Sequence, residues 1–423
     1  MTEEGVRYMV GIDWATEEHM VCAMDPGGSV VWERTVAHSG RGLDELCAWL
    51  DKLADGTPES VRVGIEVPHG AVVETLLERG FAVFSINPKQ LDRFRDRFSV
   101  AGAKDDRLDA RVLADSLRTD AHRFRRLRVD DPEVIELREW SRMADELRQE
   151  RVRMCNRFRE QLRRYFPQAL GLSRDVGADW FLDLWERVPT PQKAKRARAA
   201  AVHKILKAHR IRKISADEAL SMLRQPAVTV APGTAEAATA HLRMLLPRLR
   251  LLNQQIRQCH RKLESLLDRF ANQGSSSEDD EGQTVEQRDA TILRSIPGVG
   301  TVVLATLLAE ASQPLQRRDY HTLRALCGVA PVTRQSGKRR LVLMRHACHP
   351  RLRDALYHWA RVASQCDRAS RERYAALRHR GHSHGRALRT IGDRLLYVAC
   401  VLLNKRSCYD PGYGRTPCEE AAA

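Results

Sequence analysis

The chain has 423 residues, 43% apolar and 30% charged, enough for two to four domains with real cores and too apolar for a disordered chain. Lys and Arg number 70 against 55 Asp and Glu, a net charge of +15. No run of eighteen apolar residues occurs, and the first twenty carry Glu3, Glu4, Asp13, Glu17 and Glu18, which argues against a membrane span and a signal peptide. Ten cysteines without a CxxC pair read as reduced thiols of a cytoplasmic protein. The charge is unevenly spread. Residues 1–120 sum to −8, whereas 331–390 carry 15 Lys and Arg against 3 Asp and Glu. That local excess is the footprint expected of a protein that binds a polyanion.

Three short strand-like runs come first, from Arg7 to Asp13, Met20 to Met24 and Val30 to Thr35. Pro26-Gly27-Gly28 makes a turn between the second and third. A helix at about Leu43–Leu53, a strand ending at Glu66 and a helix near Val72–Arg79 follow. Then come a strand at Phe81–Ile86, a helix opened by Asn87-Pro88, and a last helix at about Leu108–Leu117. The order βββαβαβα predicts a mixed five-stranded sheet flanked by helices.

Residues 132–166 predict one long helix ended by Pro167, and 168–240 a helical region. From Leu242 to Phe270 the apolar positions 242, 245, 249, 252, 256, 259, 263, 266 and 270 alternate steps of three and four. That spacing fits a coiled coil over 241–272 joining copies of the chain. A helix packed inside one chain is the lesser reading of the same stripe. A polar, acidic linker is expected at 273–284 and a mostly helical domain at 285–410, followed by a tail at 411–423. The last domain opens with Ile296-Pro297-Gly298-Val299-Gly300 between two helical runs, the pattern of a helix-hairpin-helix. Beside Pro297, Gly298 and Gly300 could let backbone N–H groups approach a phosphate, although a packed turn between helices has the same sequence.

Two groups of residues could carry chemistry. Asp13 and Glu66 end apolar strands, and Asp106 and Asp109 lie three apart on one helix face, with Asp105 competing with Asp106. Carboxylates brought together repel unless a cation neutralises them, and Mg²⁺ suits oxygen ligands. Ser336 lies in a loop beside Gly337 among Arg334, Lys338, Arg339 and Arg340, whose charges could stabilise a phosphorane and bind DNA. A loop serine of this kind is more often a turn residue, and the sequence offers no general base for it. His382 and His384 lack companions at zinc spacing, and Tyr357 and Tyr397 lack support as nucleophiles.

Gly11-Ile12-Asp13, Glu66, Lys104-x-Asp106-x-x-Asp109-Ala110, Ile296-Pro297-Gly298-Val299-Gly300, Gly328-x-Ala330-Pro331 and Ser336-Gly337 occur in this order. Together they make the chain resemble the DEDD-type transposases of insertion sequences. These are relatives of the Piv invertases, also called bridge-RNA-guided recombinases. The resemblance implies a RuvC-like, ribonuclease-H-type domain at about 1–130. It implies that Ser336 forms a phosphoserine with DNA while Asp13, Glu66, Asp106 and Asp109 hold Mg²⁺. A structured guide RNA and a homo-oligomer are further implications. A metal-dependent Holliday-junction nuclease that uses water, and a non-enzymatic architectural DNA-binding protein, are the alternatives.

Overall fold

The computed structural model describes residues 5–98, 105–128, 131–272, 285–337 and 339–411. It divides into two compact units, Met1–Asp131 and Pro132–Ala423. The expected linker 273–284, Lys104, Lys338 and the tail beyond residue 411 lie outside the described residues.

In the first unit the strands are β1 (Tyr8–Asp13), β2 (Glu18–Met24), β3 (Val30–Ala37), β4 (Val61–Ile65), β5 (Ala82–Ser85) and β6 (Arg125–Arg126). They form one sheet in the order β3-β2-β1-β4-β5-β6. β4 is parallel to β1 and to β5, and the remaining pairs are antiparallel. The sheet therefore has six strands rather than the expected five. β6 is two residues long, too short to leave an alternating pattern.

The helices are α1 (Gly40–Ala54), α2 (Ala71–Glu78), α3 (Pro88–Arg95) and α4 (Asp106–Asp120). β1 is buried from Met9 to Ile12, as a central strand covered on both faces must be. Val10, Ile12, Val63 and Ile65 pack with Leu43, Leu46, Leu50, Val72 and Leu76 of α1 and α2. On the other face Met9, Phe84 and Ile86 pack with Val112, Leu113 and Leu117 of α4.

Gly11 lets α4 sit directly on the sheet. A Cβ there would stand 2.0 Å from the Ala110 carbonyl oxygen and 2.7 Å from the Ala114 nitrogen. No other residue fits at this crossing. The contact fixes where the first turn of α4 lies relative to the end of β1.

The second unit is built on α5 (Pro132–Tyr165), followed by α6 (Asp179–Arg187), α7 (Pro191–Arg196), α8 (Ala199–Ala208), α9 (Ala216–Leu223) and α10 (Thr234–Asn272). α10 runs antiparallel to α5. Glu136 meets Lys262 at 2.8 Å and Arg269 at 3.0 Å near one end, and Arg151 donates to Asn253 at 2.6 Å further along. The apolar stripe of α10 is buried within the chain. Leu242, Leu245, Leu249 and Leu252 join a core with Phe158, Tyr165, Phe181 and Trp185. Cys259, Leu263, Leu266 and Phe270 join a second core with Leu137 and Ala144. The seam expected to join subunits is thus filled from within the chain, by α5 and the helices around it.

That second core continues through α11 (Val285–Ser295), α12 (Thr301–Glu310), α13 (Ser312–Gln316), α14 (Tyr320–Leu326), α15 (Pro350–Cys366), α16 (Arg368–His379) and α17 (His384–Lys405). Between α14 and α15 the chain leaves the core as a hairpin, β7 (Val332–Ser336) and β8 (Arg339–Leu343). Its neck is closed by the His349 N–H donating to the Leu326 carbonyl at 2.8 Å. Beside the neck, the buried Glu310 carboxylate accepts from Arg142 at 3.0 and 3.2 Å and from Arg351 at 2.7 Å, with His349 at 3.6 Å. Burial alone would raise the Glu310 pKa. The Arg142 hydrogen bond and charge, then the Arg351 and His349 charges, outweigh it and hold the carboxyl below its ordinary value.

Candidate functional site

Asp13 is the last residue of β1, and Glu66 directly follows β4. The parallel register pairs Ile12 with Ile65, so the two acids stand at equivalent steps on one edge of the sheet. This is the edge outside the carboxyl ends of parallel strands, where open α/β sheets place their ligands. Through the Gly11 contact, α4 brings its first turn to the same edge. Asp105 is the cap of that helix and accepts from the Arg107 N–H at 3.2 Å. Asp106 is exposed in the first turn, and Asp109 is 2% exposed.

Asp109 is not waiting for a cation in this conformation. It accepts from Arg95 Nε of α3 at 2.6 Å, and Arg95 also bonds Asp92 at 2.9 Å. A buried carboxylate needs a counter-charge, and the guanidinium supplies it. Among the described residues no three His, Cys, Asp or Glu side chains gather closely enough to hold a metal ion. The expected convergence of four carboxylates is therefore not formed here. Their oxygen-only donor chemistry does suit a hard divalent cation. Such an ion would have to take Asp109 from Arg95. Arg95 is the residue that sequence reasoning missed, because its pairing with Asp109 is tertiary and leaves no local signal.

Ser336 is the last residue of β7, at a hairpin tip rather than in an irregular loop. Gly337, with φ +54°, directly follows it, in the left-handed region that glycine adopts freely. The pairs Ser336–Arg339, Arg334–Leu341 and Val332–Leu343 face one side, and Gln335–Arg340 and Thr333–Val342 the other. Arg334 and Arg339 are thus the cationic neighbours of Ser336, while Arg340 belongs to the opposite face. Both strands are solvent-exposed, with Val342 at 62%.

α11 and α12 do flank the Pro297-Gly298-Val299-Gly300 turn, but its residues have different tasks. Gly298 has φ +86°, and a Cβ there would meet the Ala363 nitrogen of α15 at 2.7 Å. The Pro297 carbonyl accepts from Trp359 Nε1 at 3.0 Å. These two lock the turn onto α15. Gly300, at the start of α12, faces open space and leaves that helix end accessible. His384 bridges the hydroxyls of Tyr374 at 2.7 Å and Tyr357 at 3.3 Å. Tyr397 is exposed and packs edge-on against Tyr320. No helix among the described residues is long and apolar enough to cross a membrane.

Residues 10–167 match a family model described as a transposase, of the IS110 DEDD type, and residues 290–375 match the transposase IS116/IS110/IS902 family. The "Mini-circle putative transposase for IS117" of Streptomyces coelicolor is 30% identical over 442 residues, covering all of both chains. "Putative transposase y4uE" of Sinorhizobium fredii is 56% identical over 217 residues, which span 51% of this chain and 60% of that protein. An insertion element IS110 protein of 43.6 kDa from Streptomyces coelicolor is 28% identical over 96% of each chain.

Proposed function

Because the chain belongs to the IS116/IS110/IS902 family of transposases, we propose that it is a DNA recombinase that breaks and rejoins strands through a phosphoserine at Ser336. The observation that carries this reading is the hairpin. Its tip presents an exposed serine with Arg334 and Arg339 on the same face. In the first step the Ser336 Oγ–P bond forms and the P–O3′ bond breaks. The hydroxyl proton is lost to solvent, and the 3′ oxygen takes up a proton to become a free hydroxyl. Arg334 and Arg339 offset the charge that builds on the non-bridging oxygens. Attack by a 3′-hydroxyl on the phosphoserine then reverses these bonds and restores the serine.

Asp13, Glu66, Asp106 and Asp109 are the residues that would hold Mg²⁺, with Asp109 released from Arg95. When bound, the ion would neutralise the carboxylates and stabilise charge on a phosphate oxygen. The basic stretch 331–390 and the open Gly300 helix end would bind donor and target DNA, with Pro297 and Gly298 shaping that turn. Lys338 and Arg340 would add charge at the hairpin. A structured guide RNA selecting those DNAs, and assembly of several copies, complete the proposal. With the α10 stripe filled internally, assembly would use other surfaces.

The test is single-turnover strand cleavage of an insertion-sequence end by wild type, Ser336→Ala and Asp13→Ala in Mg²⁺. Loss in both variants supports the proposal. Normal cleavage by Ser336→Ala would make the chain a nuclease that uses water. DNA binding without cleavage by the wild type would leave an architectural protein.

A further inference from the structure

One aromatic cluster of the first unit has no part in the site described above. Trp14 directly follows Asp13, and the residue is 37% exposed. Behind it lies His19, fully buried, its ring 6.2 Å from the indole and inclined by 27°. His19 in turn contacts His38, at the end of β3, with Nε2 to Nδ1 at 2.8 Å. The chain fixes the protons on these rings. The Ala15 N–H donates to His19 Nδ1 at 3.3 Å, so that nitrogen is an acceptor. His19 therefore carries its proton on Nε2 and donates it to His38 Nδ1. Burial, then the neighbouring His38, lowers the His19 pKa. His38 is left with its own N–H on Nε2, pointing away from His19 on an exposed residue.

The cluster lies at the acidic edge. β1 ends at Asp13, β2 begins at Glu18 and β3 ends at Ala37, and the register pairs Asp13 with Met20 and Glu18 with Ala37. An exposed indole backed by a buried ring is a rigid platform, since the histidine pair fixes its support. Aromatic platforms of this kind hold unpaired bases, because every base has a π-face and a base within a duplex does not present it. An imidazole N–H beside the platform is a donor for a phosphate oxygen.

We infer that Trp14 and His38 form a binding subsite for an unpaired nucleotide, the base stacked on Trp14 and the phosphate held by His38 Nε2–H. The subsite would hold a single strand next to Asp13 and Glu66. It rests on reading the chain as a DNA recombinase, and adds a nucleotide contact on the first unit.

The experiment uses the full chain and three probes carrying one 5-iodouracil: a twelve-nucleotide oligothymidylate, the matching oligouridylate, and a duplex. After irradiation, peptide mass spectrometry locates the cross-link. The subsite predicts a cross-link at Trp14 from a single strand and none from the duplex. The tighter single strand identifies DNA or RNA as the source. Trp14→Leu, which keeps bulk without a π-face, should raise the Kd for the single strand about fivefold or more, with an unchanged salt slope. Trp14→Phe should stay within about twofold of wild type, since it retains a stacking face. His38→Asn keeps an acceptor for His19, and its shorter amide N–H no longer reaches the Nε2 position, so it should weaken binding while thermal unfolding stays at the wild-type temperature. Cross-links confined to Val332–Leu343, or wild-type affinity in both Trp14→Leu and His38→Asn, would overturn the subsite and leave the recombinase reading intact. Absence of any nucleic-acid binding would overturn both.

Discussion

At the edge of β1, Asp109 is buried and held by Arg95, whereas Ser336 stands exposed at the tip of a hairpin that little else supports. The first region is fixed by packing. Gly11 lets α4 touch the sheet, and the touch fixes where the first turn of α4 lies relative to the end of β1. The second is fixed by strand register and a turn, with charged and apolar side chains mixed on both faces of an open ribbon. A carboxylate cluster needs rigid, low-mobility support because its members repel. A nucleophile that must reach a DNA strand needs exposure instead. The two regions should therefore fail in different ways when altered.

The largest effects are expected at the acidic edge. Asp13→Ala, Glu66→Ala, Asp106→Ala and Asp109→Ala should each lower single-turnover cleavage by more than about a thousandfold. Asp109→Ala should also lower the unfolding temperature clearly, because it removes the buried partner of Arg95 and leaves it only the exposed Asp92. Retained cleavage in Asp106→Ala with loss in Asp105→Ala would move the acidic pair by one residue.

On the hairpin the effects should follow the faces. Arg334→Ala and Arg339→Ala should each slow cleavage by about a hundredfold, as loss of a charge-stabilising donor does. Arg340→Ala, on the other face, should weaken DNA binding and leave the rate of bound substrate within about threefold. Equal losses of rate at all three positions would break the assignment of faces.

Next comes the packing that supports the edge. Gly11→Ala forces a Cβ against the α4 backbone and should cost the first unit about 3 kcal/mol or more, read by denaturant unfolding. Gly337→Ala, where nothing lies within 4 Å, should cost only about 1 kcal/mol, for its positive φ. Similar losses at the two glycines would remove the contrast between a packed region and an open one.

The smallest effect concerns the base of the hairpin. Glu310 has a carboxyl pKa held below its unfolded value. Its contribution to stability is therefore present above the unfolded pKa and lost as pH falls through the folded one. Glu310→Gln should be less stable than wild type at pH 7, and the gap should narrow as the solution is acidified below the usual carboxylate range. A gap that widens in acid would contradict this account of the Arg142 and Arg351 pairing.

Much of the first unit was legible in sequence because its central strands β1 and β4 are apolar runs ended or followed by an acid, a pattern set by burial. β6 escaped because two residues carry no period. The stripe of α10 was legible as an apolar face, but periodicity names a face and not the partner that covers it. The hairpin did have a signal: Gly337 stands between Val332–Ser336 and Arg339–Leu343. The dominance of charge around Ser336 hid the strands. Arg95 and the His19–His38 pair depend on segments brought together only by folding, so neither could be read from spacing.

The central claim is that Ser336 becomes bonded to DNA. The direct measurement is peptide mass spectrometry of the full chain trapped in Mg²⁺ on an insertion-sequence end nicked so that rejoining is blocked. A nucleotide-bearing 5′-phosphate adduct on the Ser336 peptide of wild type, absent from Ser336→Ala, is the predicted result. Cleaved DNA with free 5′-phosphate and no adduct on any peptide would contradict it.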